Sequence, residues 1–141
     1  MIALGELDEA LEYLSRNLYN EASTSEHYIE VLQLAHYLER EDELDTILAK
    51  ALERYPTELD LLSFSGFIAT ERDDYETAID IFMRGLDVAE SDVQRSELLG
   101  YIGDVYHEMG KDGKAFKMYR RALEYNGDNV LVLNNYAYFL S

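Results

Sequence analysis

Three stretches of the chain superpose on one another without an internal gap: YIEVLQLAHYLEREDELDTILAKALERYP, LLSFSGFIATERDDYETAIDIFMRGLDVAE and LGYIGDVYHEMGKDGKAFKMYRRALEYNG. Self-similarity at such an interval constrains a chain strongly, because each unit is too small to bury its apolar face alone and must stack on its neighbours. Apolar residues recur at three and four residue intervals almost throughout, and Pro56 is the sole proline, so every unit reads as a pair of amphipathic helices. In the first helix of each pair Leu32, Gly66 and Gly103 share one position, and Ala35, Ala69 and Tyr106 follow it. In the second helix Leu44, Ala78 and Ala115 align, then Leu48, Phe82 and Tyr119, then Ala51, Gly85 and Ala122. Small side chains let the two helices of a pair cross closely, and the aromatic residues are expected to fill the space between pairs.

This pattern resembles the tetratricopeptide repeat, which runs L-G-x₂-Y in helix A, A-x₃-F in helix B, then Pro, with a period of about 34 residues. The third unit carries the resemblance best, with Ile102, Gly103 and Tyr106 in helix A, Ala115, Tyr119 and Ala122 in helix B, and Gly127 in place of the closing Pro. The first is more degenerate, since Leu32 replaces Gly and Leu44 replaces Ala, and its helices are expected to stand slightly apart. The register also runs past both ends, through Ala10 and Leu14 and through Leu133 and Ala137. The resemblance implies an all-α fold, a right-handed α-solenoid of antiparallel helix hairpins forming one array over 1–141. Its expected parts are an orphan helix B in 1–24 (helical from about Glu6 to Tyr19), repeats at 25–58, 59–95 and 96–129, and the helix A of a further repeat in 130–141. An unpaired apolar VLVLNNYAYFL suggests a piece of a longer, bacterial-type array. The register slips by three residues near Ser91, which forecasts a longer third helix A, with Ser91 and Gln94 as its capping box. Thr57 with Asp60, and Asp73 with Glu76, read as further helix starts.

Charge excludes one class of partner. Asp and Glu total 29 against 12 Lys and Arg, a formal net charge of −17, so nucleic acid would be repelled. Hydrophobic content of 48% is too high for a disordered acidic tail. The absence of Cys rules out disulfides and thiolate zinc sites. MIALGELDEALEYL has no basic leader, and no run approaches membrane-spanning length, so the chain reads as soluble, without membrane insertion. Its compartment stays unassigned: cytoplasmic by default, periplasmic if a longer protein carries an export signal.

In an array of this kind the helices A line a concave groove, and the residues opposite the packed stripe face it. They are Glu26, Ile29, Glu30, Gln33 and His36 in the first repeat, and Asp60, Ser63, Phe64, Phe67 and Thr70 in the second. The third repeat gives Glu97, Tyr101, Asp104 and His107, and the terminal helix gives Asn134, Asn135 and Tyr138. Chaperone-binding members of the family hold a peptide's terminal carboxylate with Lys, Asn and Arg; here Ile29, Gln33, Phe64, Glu97 and Tyr101 stand at the matching places, so an acidic C-terminal peptide is not expected. An acidic rim around Phe64, Phe67, Tyr101 and Tyr138 suits a basic or neutral segment with apolar anchors. Phe64 and Tyr101 fit inter-repeat packing equally well. Of the adjacent Asn134 and Asn135, poor helix formers both, one is expected to donate into the groove.

Nothing in the sequence assembles a reaction centre or calls for a cofactor or metal. No His is followed by a second at metal-ligating helical spacing, and His36 and His107 sit two repeats apart. The run GYIGDVYHEMGKDGK follows no strand and lacks Ser or Thr after Gly-Lys, so it is no phosphate loop. The expected function is a non-enzymatic scaffold that binds an extended peptide or partner segment. The alternative is head-to-tail self-assembly, for which the cluster Lys111, Lys114, Lys117, Arg120 and Arg121 and the acidic first thirty residues offer opposite charge. A solvated convex face explains the same charges.

Overall fold

The computed structural model describes residues 4–18 and 23–140. Among them run eight helices and no strand: α1 (Leu4–Leu18), α2 (Ser25–Tyr37), α3 (Glu41–Arg54), α4 (Leu59–Glu71), α5 (Tyr75–Val88), α6 (Asp92–Glu108), α7 (Asp112–Tyr125) and α8 (Val130–Leu140). The expected end of the first helix at Tyr19 lies outside the described residues. The three-residue slip lengthens α6 to 17 residues, against 13 in α2 and α4.

Local chemistry sets the helix ends. Thr24 accepts the His27 N–H while His27 Nδ1 accepts the Thr24 N–H at 3.1 Å, a capping box with histidine in the role usually given to Glu. Ser91 caps α6 by accepting the Gln94 N–H at 3.2 Å, but Gln94 Oε1 accepts from Glu90, one residue before the cap. The expectation for Asp73 is corrected. The N-cap of α5 is Asp74, without a side-chain bond, and Asp73 sits in the turn at φ 59, accepting the Tyr75 hydroxyl. α4 begins at Leu59, two residues beyond Thr57.

The three turns from helix A to helix B share one geometry. Glu39, Asp73 and Gly110 have φ of 57, 59 and 78, and the residue after each returns its N–H to a carbonyl five positions back: Arg40 to Ala35, Asp74 to Ala69, Lys111 to Tyr106. This is a Schellman closure, which satisfies orphan carbonyls at the helix end and favours glycine at the left-handed position. Only Gly110 supplies it.

Two compact units divide at Leu61 and Leu62, inside α4. In the first, α2 packs on α1 and α3. Leu11, Val31, Leu32, Ala35, Leu44, Ile47 and Ala51 are buried, and the Tyr28 ring meets Tyr55 edge-on at 6.0 Å. Tyr55 closes the hairpin by donating its hydroxyl to the Ser23 carbonyl at 2.7 Å, and Arg40 reaches both Glu43 and Asp8, the latter at 2.9 Å.

In the second unit α5 packs on α6, and α7 on α6 and α8. The expected role of the aromatics changes here. Phe82 and Tyr119 lie over the glycines of their own hairpins: a Cβ on Gly66 would collide with the Phe82 ring, and one on Gly103 would come within 2.6 Å of Tyr119. The missing side chain is the space the ring fills. Phe82 then also meets Tyr101 of the following hairpin at 5.5 Å, so one ring packs in both directions. Leu99, Ala115, Tyr119, Ala122 and Val132 form the core beneath α6, α7 and α8.

Candidate functional site

Helix α6 is buried on most of its circumference, through Ser96, Leu98, Leu99, Gly100, Ile102, Gly103 and Val105. Beyond Ser96 the residues left at least partly exposed are Glu97, Tyr101, Asp104, Tyr106, His107 and Glu108, the first three spaced one helical turn apart. Gly100 lets α8 approach, since a Cβ there would lie 2.7 Å from Val132 Cγ2. Between the two helices lies a pocket of about 300 Å³ lined by Glu97, Gly100, Tyr101, Asp104, Asn129, Asn135 and the first turn of α8, Val130 to Val132.

Asp104 accepts two side-chain hydrogen bonds in this pocket. The Tyr119 hydroxyl donates to its Oδ1 at 2.6 Å and Asn135 Nδ2 donates to the same oxygen at 2.8 Å. Burial raises the pKa of Asp104, and the hydrogen bonds from Tyr119 and Asn135 oppose that rise. The Tyr119 hydroxyl is pushed far above its ordinary value by burial and then by Asp104. Nearby, Ser96 is fully buried and donates to the Ala122 carbonyl at 2.8 Å while accepting from Asn129 Nδ2 at 2.9 Å. Asn129 Oδ1 in turn caps α8 by accepting the Val132 N–H at 3.2 Å.

Within the second unit the structure thus gathers Glu97, Tyr101, Asp104 and Asn135 of the residues expected to face a groove. Asn135, of the two asparagines, makes a donor bond, and it goes to Asp104; Asn134 is exposed. Phe67 is partly exposed, yet its ring meets Tyr101 at 4.8 Å and Phe82 at 5.5 Å, so both Phe67 and Tyr101 contribute to packing between hairpins. Phe64 and Ser63 are half-buried, Thr70 returns its hydroxyl to the Gly66 carbonyl at 2.8 Å, and Tyr138 is exposed. His107 Nδ1 lies 3.1 Å from the Asp112 carboxylate across the turn into α7.

Glu26, Glu30 and Gln33 of the first unit are exposed, Ile29 and His36 half-buried, and Asp60 is exposed at the start of α4. Glu30 lines a second pocket, of about 250 Å³, with His27, Val31, Leu14, Asn17, Leu18 and Ser23.

Sequence reasoning missed Val130, Leu131 and Asn129, which line the main pocket, and Tyr119, which positions Asp104 from the core. Tyr119 left a signal: it is the one tyrosine at the A-x₃-F position, where a hydroxyl needs a partner. The α8 residues left only the unpaired apolar run VLVLNNYAYFL, because which of them stays exposed depends on how that helix docks.

The tetratricopeptide repeat family model matches residues 57–126. No curated protein sequence matches the chain. Among solved structures, PilF of Pseudomonas aeruginosa is 20% identical with a TM-score of 0.78, over 96% of this chain and 61% of that one. MamA is 18% identical with a TM-score of 0.71, over 91% and 73%, and YrrB, described as a TPR protein with an unusual peptide-binding site, is 16% identical with a TM-score of 0.73, over 93% and 66%. The chain therefore spans roughly two thirds of the length of these structures, from 61% to 73%. Likeness at such identities speaks for the fold alone, the all-α tetratricopeptide solenoid class of antiparallel helix hairpins. No described helix is long and apolar enough to cross a membrane. Proteins of this repeat class are in general non-enzymatic scaffolds for protein or peptide partners, and with the matched repeat and an all-helical fold of the same kind, this chain is a tetratricopeptide repeat protein.

Proposed function

We propose that the chain is a non-enzymatic interaction scaffold that holds an extended partner segment, basic or neutral and carrying apolar anchors, on the exposed faces of its helices A. The observation that carries this reading is the pocket beside α6, where an aromatic side chain and two carboxylates meet the exposed apolar turn of Val130 and Leu131. Its volume of about 300 Å³ lies at the lower end of ligand sites, a size for one anchoring side chain rather than a whole small molecule. Its polar groups are arranged for recognition: no nucleophile is paired with a base, and Asp104 is held by donors instead of activating a neighbour. Further residues proposed for partner contact are Glu26, Ile29, Glu30, Gln33 and His36 on the first unit, and Asp60, Ser63, Phe64, Phe67 and Thr70 on α4.

Fluorescence anisotropy with labelled peptides bearing lysines and one aromatic or leucine anchor tests the reading. Phe67 and Tyr101 also support the packing, so Leu131→Asp on the exposed turn is the cleaner variant. Affinity is expected to fall at least tenfold with unfolding unchanged. Equal binding by the variant and the parent sinks the proposal.

Head-to-tail self-assembly is a second reading, favoured by the exposure of Val130, Leu131, Leu133 and Tyr138 on α8 and of Tyr13 and Leu14 on α1. Sedimentation across protein and salt concentrations decides it, and a strict monomer at the highest concentration removes it.

A further inference from the structure

Asp104 presents its two oxygens unequally. Both donors, the Tyr119 hydroxyl and Asn135 Nδ2, converge on Oδ1, and Oδ2 receives neither. The carboxylate is therefore fixed in direction by the core behind it, with one oxygen left for a donor arriving from elsewhere. Glu97, exposed and two helical turns earlier on the same face, adds a second carboxylate to the wall, and Tyr101 stands between them in sequence. Phe67 and Phe82 brace that tyrosine ring at 4.8 and 5.5 Å. Opposite lie Val130, Leu131 and Val132, while Asn129 and Asn135 bring amide groups to the rim.

The first turn of α8 opposes a cation at this place, because a helix N-terminus carries about half a positive elementary charge. Two full carboxylates outweigh it, and Asn129 already occupies the Val132 N–H. A net charge of −17 steers cations towards the protein from further out.

Resting on the scaffold reading above, we infer that this pocket takes an arginine side chain of the partner segment, its guanidinium between Glu97 and Asp104 Oδ2 against the Tyr101 ring. A guanidinium suits the walls better than an ammonium. It is planar and weakly hydrated, packs on an aromatic ring, and spreads five donors over separate acceptors, whereas an ammonium concentrates its charge and holds its water.

The test uses three labelled nonapeptides that differ only at the central residue between two leucines: arginine, lysine, or citrulline, which keeps the shape of arginine without its charge. The arginine peptide is expected to bind at least tenfold more tightly than the citrulline peptide and several-fold more tightly than the lysine peptide. Glu97→Gln is expected to erase most of that preference with the unfolding midpoint unchanged, since Glu97 is exposed. If arginine and citrulline bind alike, and both still require Leu131, the inference falls and the scaffold reading stands. If lysine equals arginine, the assignment to a guanidinium is overturned. If none of the three binds, both readings fail together.

Discussion

The first hairpin, α2 with α3, and the third, α6 with α7, solve one packing problem with opposite side chains. At equivalent positions the first carries Leu32 and Leu48 and the third carries Gly103 and Tyr119, and all four are buried. One hairpin shares the volume between two medium side chains; the other gives all of it to a ring lying over a bare backbone. The repeat therefore specifies a summed volume at the helix crossing more than a residue at each place, as cores do when shape is redistributed at constant size. The two solutions are not equivalent at the surface. A leucine ends inside the core, whereas Tyr119 carries a hydroxyl across it to Asp104, so the third hairpin couples its packing to its exposed face.

The largest expected effect comes from imposing half of one solution on the other. Leu32→Gly leaves a void and a flexible backbone in a helix, and should lower stability by about 4 kcal/mol, a large part of the 5–15 kcal/mol typical of a domain. Adding Leu48→Phe should recover part of the loss in urea unfolding; if it recovers nothing, the volume-sharing comparison is wrong. Gly103→Leu, the converse, should cost about 3 kcal/mol by overpacking against Tyr119, and Tyr119→Leu in that background should restore most of it. A smaller effect separates the turns. Glu39→Gly should stabilise by about 1 kcal/mol, because Glu39 holds the left-handed conformation that Gly110 adopts without strain, and Gly110→Ala should cost a similar amount. A thermal shift of the same sign for both substitutions would contradict this.

The smallest effect is a pH dependence confined to the third hairpin. Burial raises the pKa of Asp104 in the fold, so the folded state binds more protons than the unfolded one between the ordinary value, about 4, and the raised value. The contribution of Asp104 is then most favourable at acid pH and declines as pH rises through that window. Asp104→Asn keeps an acceptor for Tyr119 and Asn135 and cannot ionise, so its stability relative to the parent should increase from pH 4 to pH 7. A decrease over that range would show that the hydrogen bonds to the charged form outweigh its desolvation.

Much of the fold was legible because it depends on spacing. Small and apolar residues returning at fixed intervals placed the helices, and the slip near Ser91 forecast the longer α6. The turn at Asp73 was misread because an aspartate before a helix resembles a cap, while its left-handed backbone depends on how α4 closes. The candidate site was legible along α6, where Glu97, Tyr101 and Asp104 lie opposite the packed stripe of the repeat that the sequence resembles, and at Asn135 on α8. Its other wall, Val130 to Val132, is set by the docking of α8 onto Gly100, and no local pattern encodes which face of a terminal helix stays uncovered. The destination of the Asn135 amide was unreadable for the same reason: its acceptor lies on another helix, 31 residues away in sequence.

The two polar ties across α6 and α8, Ser96 with Asn129 at one end and Asp104 with Asn135 at the other, bracket the main pocket. Their effect would be felt on association more than on folding. A cleft whose walls are already fastened together has little freedom left to lose when a ligand arrives, so the entropy of ordering falls on the incoming segment alone. Cutting either tie should therefore weaken capture even though neither Ser96 nor Asn129 Nδ2 need touch what is captured.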